Sequence, residues 1–100
     1  MILECRIRGQ PLPSITWYKN DKPIILNERF QAHYLADGVC RLTISSPTSE
    51  DSGKYTCKAE NSVWSDKIYH EVYFDSKHNL KYNLYVYLLL NIVHMLFNLL

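Results

Sequence analysis

With 100 residues the chain has room for one small domain and not for two. Eleven Lys and Arg against ten Asp and Glu leave a formal charge of +1, too near neutral to argue for nucleic acid or an anionic membrane as a charge-driven partner. All ten carboxylates lie at or before Asp75, whereas residues 76–100 carry only Lys77 and Lys81, so the chain has two unlike parts.

Residues 3–8 alternate apolar and charged around Cys5, a period of two that predicts a half-buried strand with Leu3, Cys5 and Ile7 inward. Gly9, Pro11 and Pro13 interrupt it, because glycine permits a turn and proline removes ladder donors. Residues 14–19 form the next predicted strand, with Ile15 and Trp17 on one face and Thr16 and Tyr18 on the other; Asn20-Asp21-Lys22-Pro23 closes it with turn chemistry. Residues 24–26 are expected as a short edge strand and 29–35 as a longer one. Asp37-Gly38 between apolar runs signals a hairpin, since both positions of such a turn need positive φ. After it, residues 39–44 align Cys40, Leu42 and Ile44 on one face. A polar connection, 45–53, leads to a strand over 54–59 with Tyr55, Cys57 and Ala59 inward, and residues 61–65 turn the chain into a last strand at about 67–74. No internal repeat is visible, which points to a single sandwich.

Cys5, Trp17 twelve residues on, and Asp51-Ser52-Gly53-Lys54-Tyr55-Thr56-Cys57 form a specific constellation, supported by Gly9-x-Pro11-x-Pro13-x-Ile15-x-Trp17, Leu42-x-Ile44 and Ala59-x-Asn61. In these residues the chain resembles an immunoglobulin intermediate-set domain, over roughly residues 2–74. The resemblance implies an all-β, Greek-key sandwich in which Cys5 and Cys57 lie on facing sheets and Trp17 packs on them. It also implies that Tyr55 returns its hydroxyl to the preceding connection, with Gly53 at the corner before it. Leu42 and Asp51 are further fold-defining positions on the same grounds. Two departures stand out. The family opens with a strand before the first cysteine strand, and here Met1 stands only four residues before Cys5, so the first strand is expected to be missing. The usual glycine three residues after Asn61 is Trp64, which leaves the last turn open to a wider form.

Oxidised, a Cys5–Cys57 bridge closes a loop of about fifty residues and stabilises the domain by roughly 4 kcal/mol on the chain-entropy model. In a reducing cytosol the pair stays as thiols. Cys40 is expected inward as a small hydrophobe, the alternative being a regulatory or intermolecular thiol. His33, His70, His78 and His94 are scattered without metal-ligand spacing, and neither a phosphate-binding glycine loop nor a nucleophile in a recognisable setting occurs. The expectation is a chain with no catalytic, metal or cofactor site. By outward parity Tyr18, Lys58, Glu60 and Tyr69 share the exposed face of one sheet, the candidate binding face.

The domain is expected over residues 1–74 and a hydrophobic tail over 75–100. Residues 82–100 hold no charge and as a helix would span about 28 Å, near a bilayer core, with Asn91, His94 and Asn98 on one face. Lys77 and Lys81 before this run favour leaving the sandwich on the cytoplasmic side. Because the run is rich in residues with A/T-rich codons and starts where the family's last strand ends, it is expected to be read-through in a fragmentary gene model; a membrane segment is the alternative. The amino terminus places Glu4 and Arg6 where a secretion signal needs an apolar stretch, and no Asn-x-Ser/Thr acceptor occurs.

Within the family the segments 9–20 and 50–61 resemble domains of giant intracellular muscle proteins such as titin, obscurin, projectin and the large myosin light chain kinases. That resemblance implies a non-enzymatic structural and protein-binding module in the cytoplasm, at the sarcomere or cytoskeleton. Its implied partners are neighbouring immunoglobulin modules or sarcomeric proteins. An extracellular adhesion or receptor domain with a carboxy-terminal membrane anchor is the rival, sharing every fold-level motif.

Overall fold

The computed structural model describes residues 1–7, 9 and 11–74, together with the backbone of Tyr85–Tyr87. Among the described residues eight strands follow in chain order: β1 (Ile2–Arg6), β2 (Ser14–Lys19), β3 (Lys22–Pro23), β4 (Phe30–Tyr34), β5 (Val39–Ile44), β6 (Gly53–Glu60), β7 (Ser65–Val72) and β8 (Tyr85–Tyr87). They form two sheets, ordered β4-β5-β1-β8 and β3-β2-β6-β7. Neighbours in both are antiparallel, apart from β8, which lies parallel to β1.

The period-two pattern sets the register because a one-residue slip would turn every inward side chain to solvent. On β1 and β5, Leu3 faces Leu42 and Cys5 faces Cys40; on β2 and β6, Trp17 faces Cys57 and Ile15 faces Ala59. Leu3, Cys5, Ile7, Trp17, Cys40, Leu42, Ile44, Tyr55, Cys57 and Ala59 are buried in one cluster, with Ile15 half-buried against it. Met1, Val72 and Phe74 are buried too, the last two on the inward parity of a strand whose Tyr69 faces out.

The turns follow from backbone chemistry. Asn20 and Asp21 both have positive φ, 49° and 67°, as a two-residue hairpin demands, and this fixes the register Lys19 opposite Lys22. Asp37 and Gly38, at φ 63° and 74°, make the other tight turn. A Cβ at Gly38 would stand 2.0 Å from the Ile7 carbonyl oxygen, while the Ile7 N–H donates to the Gly38 carbonyl at 2.8 Å, so backbone fills the space a side chain would need.

Residues 24–26 do not form the expected edge strand. The hairpin register confines pairing to Lys22 and Pro23, and after the Ile24 N–H reaches the Trp17 carbonyl the chain departs, leaving Ile25 82% exposed. The last strand begins earlier than expected, at Ser65, because Asn61 closes the preceding turn. Its side-chain oxygen accepts from the Val63 and Trp64 N–H groups, and its own N–H donates to the Trp64 carbonyl. Of the tail, residues 85–87 form a strand; the rest of the helix expected over 82–100 lies outside the described residues. Among the described residues no helix is long and apolar enough to cross a membrane.

Candidate functional site: the outer face of the β3-β2-β6-β7 sheet

A bonded end, an inner face and an outer face position the candidate residues. At the end, residues 49–51 make a short 3-10 turn whose cap is reciprocal: the Thr48 hydroxyl accepts from the Glu50 N–H, and the buried Asp51 carboxylate accepts from the Thr48 N–H at 2.8 Å. The same carboxylate pairs with the Arg29 guanidinium, and the Tyr55 hydroxyl donates to the Asp51 carbonyl at 2.6 Å. Burial first, and the nearby Asp51 charge second, push the Tyr55 hydroxyl up to about 12. Gly53, at φ +152°, starts β6, and a Cβ there would come within 2.9 Å of the Asn20 side-chain oxygen, which accepts from the Lys54 N–H. Leu42 is wholly buried in the middle of β5.

On the inner face Cys5, Cys40 and Cys57 form a cluster of buried thiols, and the Cys5 thiol donates to the Cys57 sulfur at 2.7 Å. The hydrogen bond with Cys40 acts to lower the pKa of the Cys5 thiol, but the bond with Cys57, burial and the Cys57 charge outweigh it, and the thiol is pushed up. The Cys40 thiol is pushed up as well, by its hydrogen bond with Cys5 and then by burial. Thiols held protonated in this way are poor nucleophiles and metal ligands. Among the described residues no three His, Cys, Asp or Glu side chains gather as a metal site. His33 and His70 are exposed, and His78 and His94 lie outside the described residues.

The outer face carries the four candidates for binding. Tyr18 stands opposite Thr56, which stands opposite Tyr69, so an aromatic row crosses three strands. Lys58 lies between Thr16 and Lys67, and Glu60 between Ser14 and Ser65. Tyr18 and Lys58 line an open concavity of about 510 Å³ together with Asp21, Thr56, Ser65, Asp66 and Lys67. Tyr69, 61% exposed, and Glu60 flank it. The Lys54 ammonium pairs with Asp21 at 2.8 Å and sits 5.4 Å from the Tyr69 ring centre. Its hydrogen bond to Asp21 raises the pKa of the ammonium and lowers that of the Asp21 carboxyl, so each partner is held in its charged form. Lys58 reaches Glu60 at 3.8 Å.

Asp21, Lys54, Lys67 and Thr56 belong to this surface as well. Lys54, Thr56 and Lys67 share the outward parity of Lys58 and Tyr69 on their own strands, and Asp21, in the turn after β2, is joined to them by its pairing with Lys54. Thr56 is buried despite facing outward, because Tyr18 and Tyr69 flank it.

The architecture is that of a β-sandwich module with a buried Trp and paired cysteines between the sheets. The Immunoglobulin I-set domain model matches residues 1–73, and the chain belongs to that family. It is 47% identical over 60 residues to the smooth muscle myosin light chain kinase of Gallus gallus, covering 60% of this chain and 3% of that protein. It is 42% identical over 66 residues to the titin homolog of Caenorhabditis elegans, covering 66% of this chain and, rounded, 0% of that protein. Among solved structures, the I-band fragment I67-I69 from titin superposes with a TM-score of 0.68 at 30% identity, covering 73% of this chain and 25% of that one. The chain thus spans a quarter or less of the length of these three.

Proposed function

We propose that the chain is a non-enzymatic structural and protein-binding immunoglobulin module of a giant cytoskeletal muscle protein, acting in the cytoplasm at the sarcomere. The outer face of β3-β2-β6-β7 is its docking surface. One observation carries the reading of the surface: Tyr18 and Tyr69 stand in one cross-strand row beside a concavity lined by both signs of charge. Tyrosine is enriched among the energetic centres of protein interfaces, and a polar, solvent-accessible rim commonly surrounds such centres. Family membership and the likeness to muscle kinase and titin domains support the class of protein.

Co-sedimentation with washed, demembranated myofibrils tests the proposal. The chain is expected in the pellet, and the double variant Tyr18→Ala/Tyr69→Ala in the supernatant with an unchanged unfolding temperature. Equal pelleting of the two removes the face from the reading, and a wild-type chain that stays in solution removes the muscle assignment. The second reading, a cell-surface domain with a membrane anchor, draws on the uncharged run at 82–100. It requires the chain made in cells to resist carbonate extraction from membranes.

A further inference from the structure

The outer edge of β1 carries β8, in the register Ile2 opposite Tyr85, Leu3 opposite Val86 and Glu4 opposite Tyr87. We propose that this edge is a strand-addition site and that its occupant is the chain's own carboxy-terminal segment, laid on it in parallel within the same molecule.

The direction of pairing follows from where the chain leaves β7. Phe74 is held at its backbone by Ser52, which accepts from the Phe74 N–H at 2.9 Å and donates to its carbonyl at 3.3 Å. Ser52 adjoins Asp51, and Asp51 is paired with Arg29. The Arg29 carbonyl accepts from the Ser45 N–H, and the Ile44 N–H donates to the Met1 carbonyl. Phe74 therefore emerges at the end of the sandwich where β1 begins. A chain leaving from that end can lie along β1 only by running away from the end, in the direction of β1 itself. Parallel pairing is the outcome of that exit, whereas an antiparallel strand would have to overshoot the sandwich and return.

Reach and composition agree. Ten residues separate Phe74 from Tyr85, and at about 3.3 Å per residue eleven steps reach about 36 Å, against sheets about 10 Å apart. Residues 75–100 contain no proline or glycine, so a backbone donor exists at every position, and Tyr85-Val86-Tyr87 is a run of strongly β-forming residues. A bare edge next to Leu3 and Cys5 would present unpaired N–H and C=O groups to other chains, and a strand of the same molecule removes that template. Three residue pairs hold β8, against five between β1 and β5, so the occupant is the weaker of the two neighbours of β1 and the one that exchanges first.

Backbone nuclear Overhauser contacts on the wild-type full chain test the site directly, with amide hydrogen exchange as the second readout. Contacts between Leu3 and Val86 are expected, and they should be absent from the isotope-filtered spectrum of a mixture of labelled and unlabelled chains. In the full chain, Val86→Pro or Tyr85→Pro/Tyr87→Pro, whichever removes the bonded donors, should speed exchange at least tenfold at the β1 amides that face β8. The β1 amides that face β5 should not change. Missing contacts in the wild type overturn the proposal. So do contacts that survive the filter, which would make a second copy the donor, or exchange at the β8-facing amides that neither proline variant alters.

Discussion

The two faces of the β3-β2-β6-β7 sheet are built from the same strands, one residue out of step, and they differ in almost everything that holds a protein together. Inward, Trp17, Tyr55, Cys57 and Ala59 are each exposed by 4% or less, and the one phenolic hydroxyl among them is bonded to the Asp51 carbonyl. Outward, Tyr18, Lys58, Glu60 and Tyr69 keep solvent contact and meet one another through salt-screened ion pairs and cross-strand rows. Burial does the stabilising on one side, which leaves the other free to vary its chemistry without risk to the fold. Substitutions should therefore fall steeply in effect from the inside to the outside.

Trp17→Ala is the largest expected loss. It empties the space between the facing cysteine strands and should cost about 3 to 5 kcal/mol. Ordinary domains have only about 5 to 15 kcal/mol of net stability, so the variant should lack a folded baseline in urea titrations followed by circular dichroism. A denaturation midpoint equal to that of the wild type would refute its placement in the core.

Asp51→Ala comes next, at about 2 to 4 kcal/mol, because it strips the Arg29 pair and the Thr48 N–H of their acceptor. Asp51→Asn keeps an oxygen for the cap and should lose less. If both variants cost the same, the charge pair carries the effect and the cap does not. Tyr55→Phe removes one hydrogen bond and should cost about 1 to 1.5 kcal/mol at neutral pH. It has a further signature at high pH. With the folded hydroxyl at about 12 and the unfolded one near 10, the folded state holds its proton more tightly. The unfolded chain ionises first, so this contribution is intact below pH 10 and is lost as pH rises toward 12 and beyond, on the order of 2 to 3 kcal/mol in all. Wild type should lose stability faster than Tyr55→Phe across that window, and parallel curves would show that the hydroxyl is not buried.

Much of this contrast was legible in the sequence, because alternation is written residue by residue. The inward set at Leu3, Cys5, Trp17, Leu42, Tyr55 and Cys57, and the turn at Asp37-Gly38, follow from period and from φ requirements alone. What was not legible depends on who sits next to whom. Ile24, Ile25 and Leu26 have strand composition, yet a two-residue turn three positions earlier fixes the register and ends the pairing at Pro23. Phe74 is held past the end of β7 by backbone bonds to Ser52, a partner 22 residues away. Asp21, in the turn after β2, joins the outer surface through its pairing with Lys54 on a neighbouring strand. Nor does the uncharged tail show an alternation that would have singled out residues 85–87 as a strand.

The smallest expected effect is also the sharpest test of the contrast, because it compares adjacent residues. Ile68 and Tyr69 are consecutive on β7, opposite Cys57 and Thr56 respectively. Ile68 is half-buried and packs on the core, so Ile68→Ala should cost about 1 to 1.5 kcal/mol, below the range for fully buried aliphatics because part of its surface is already wet. Tyr69 is a much larger side chain, but at 61% exposure it gives up little area, and its companions Tyr18 and Lys54 stay solvated or paired without it. Tyr69→Ala should therefore stay within about 0.5 kcal/mol of wild type in chemical denaturation. The order of the two is what matters: volume removed predicts that the tyrosine costs more, and side of the sheet predicts that the isoleucine does. If Tyr69→Ala proves the more damaging, the outer row contributes to stability as a packed layer, and the sheet face could not be freely varied for binding.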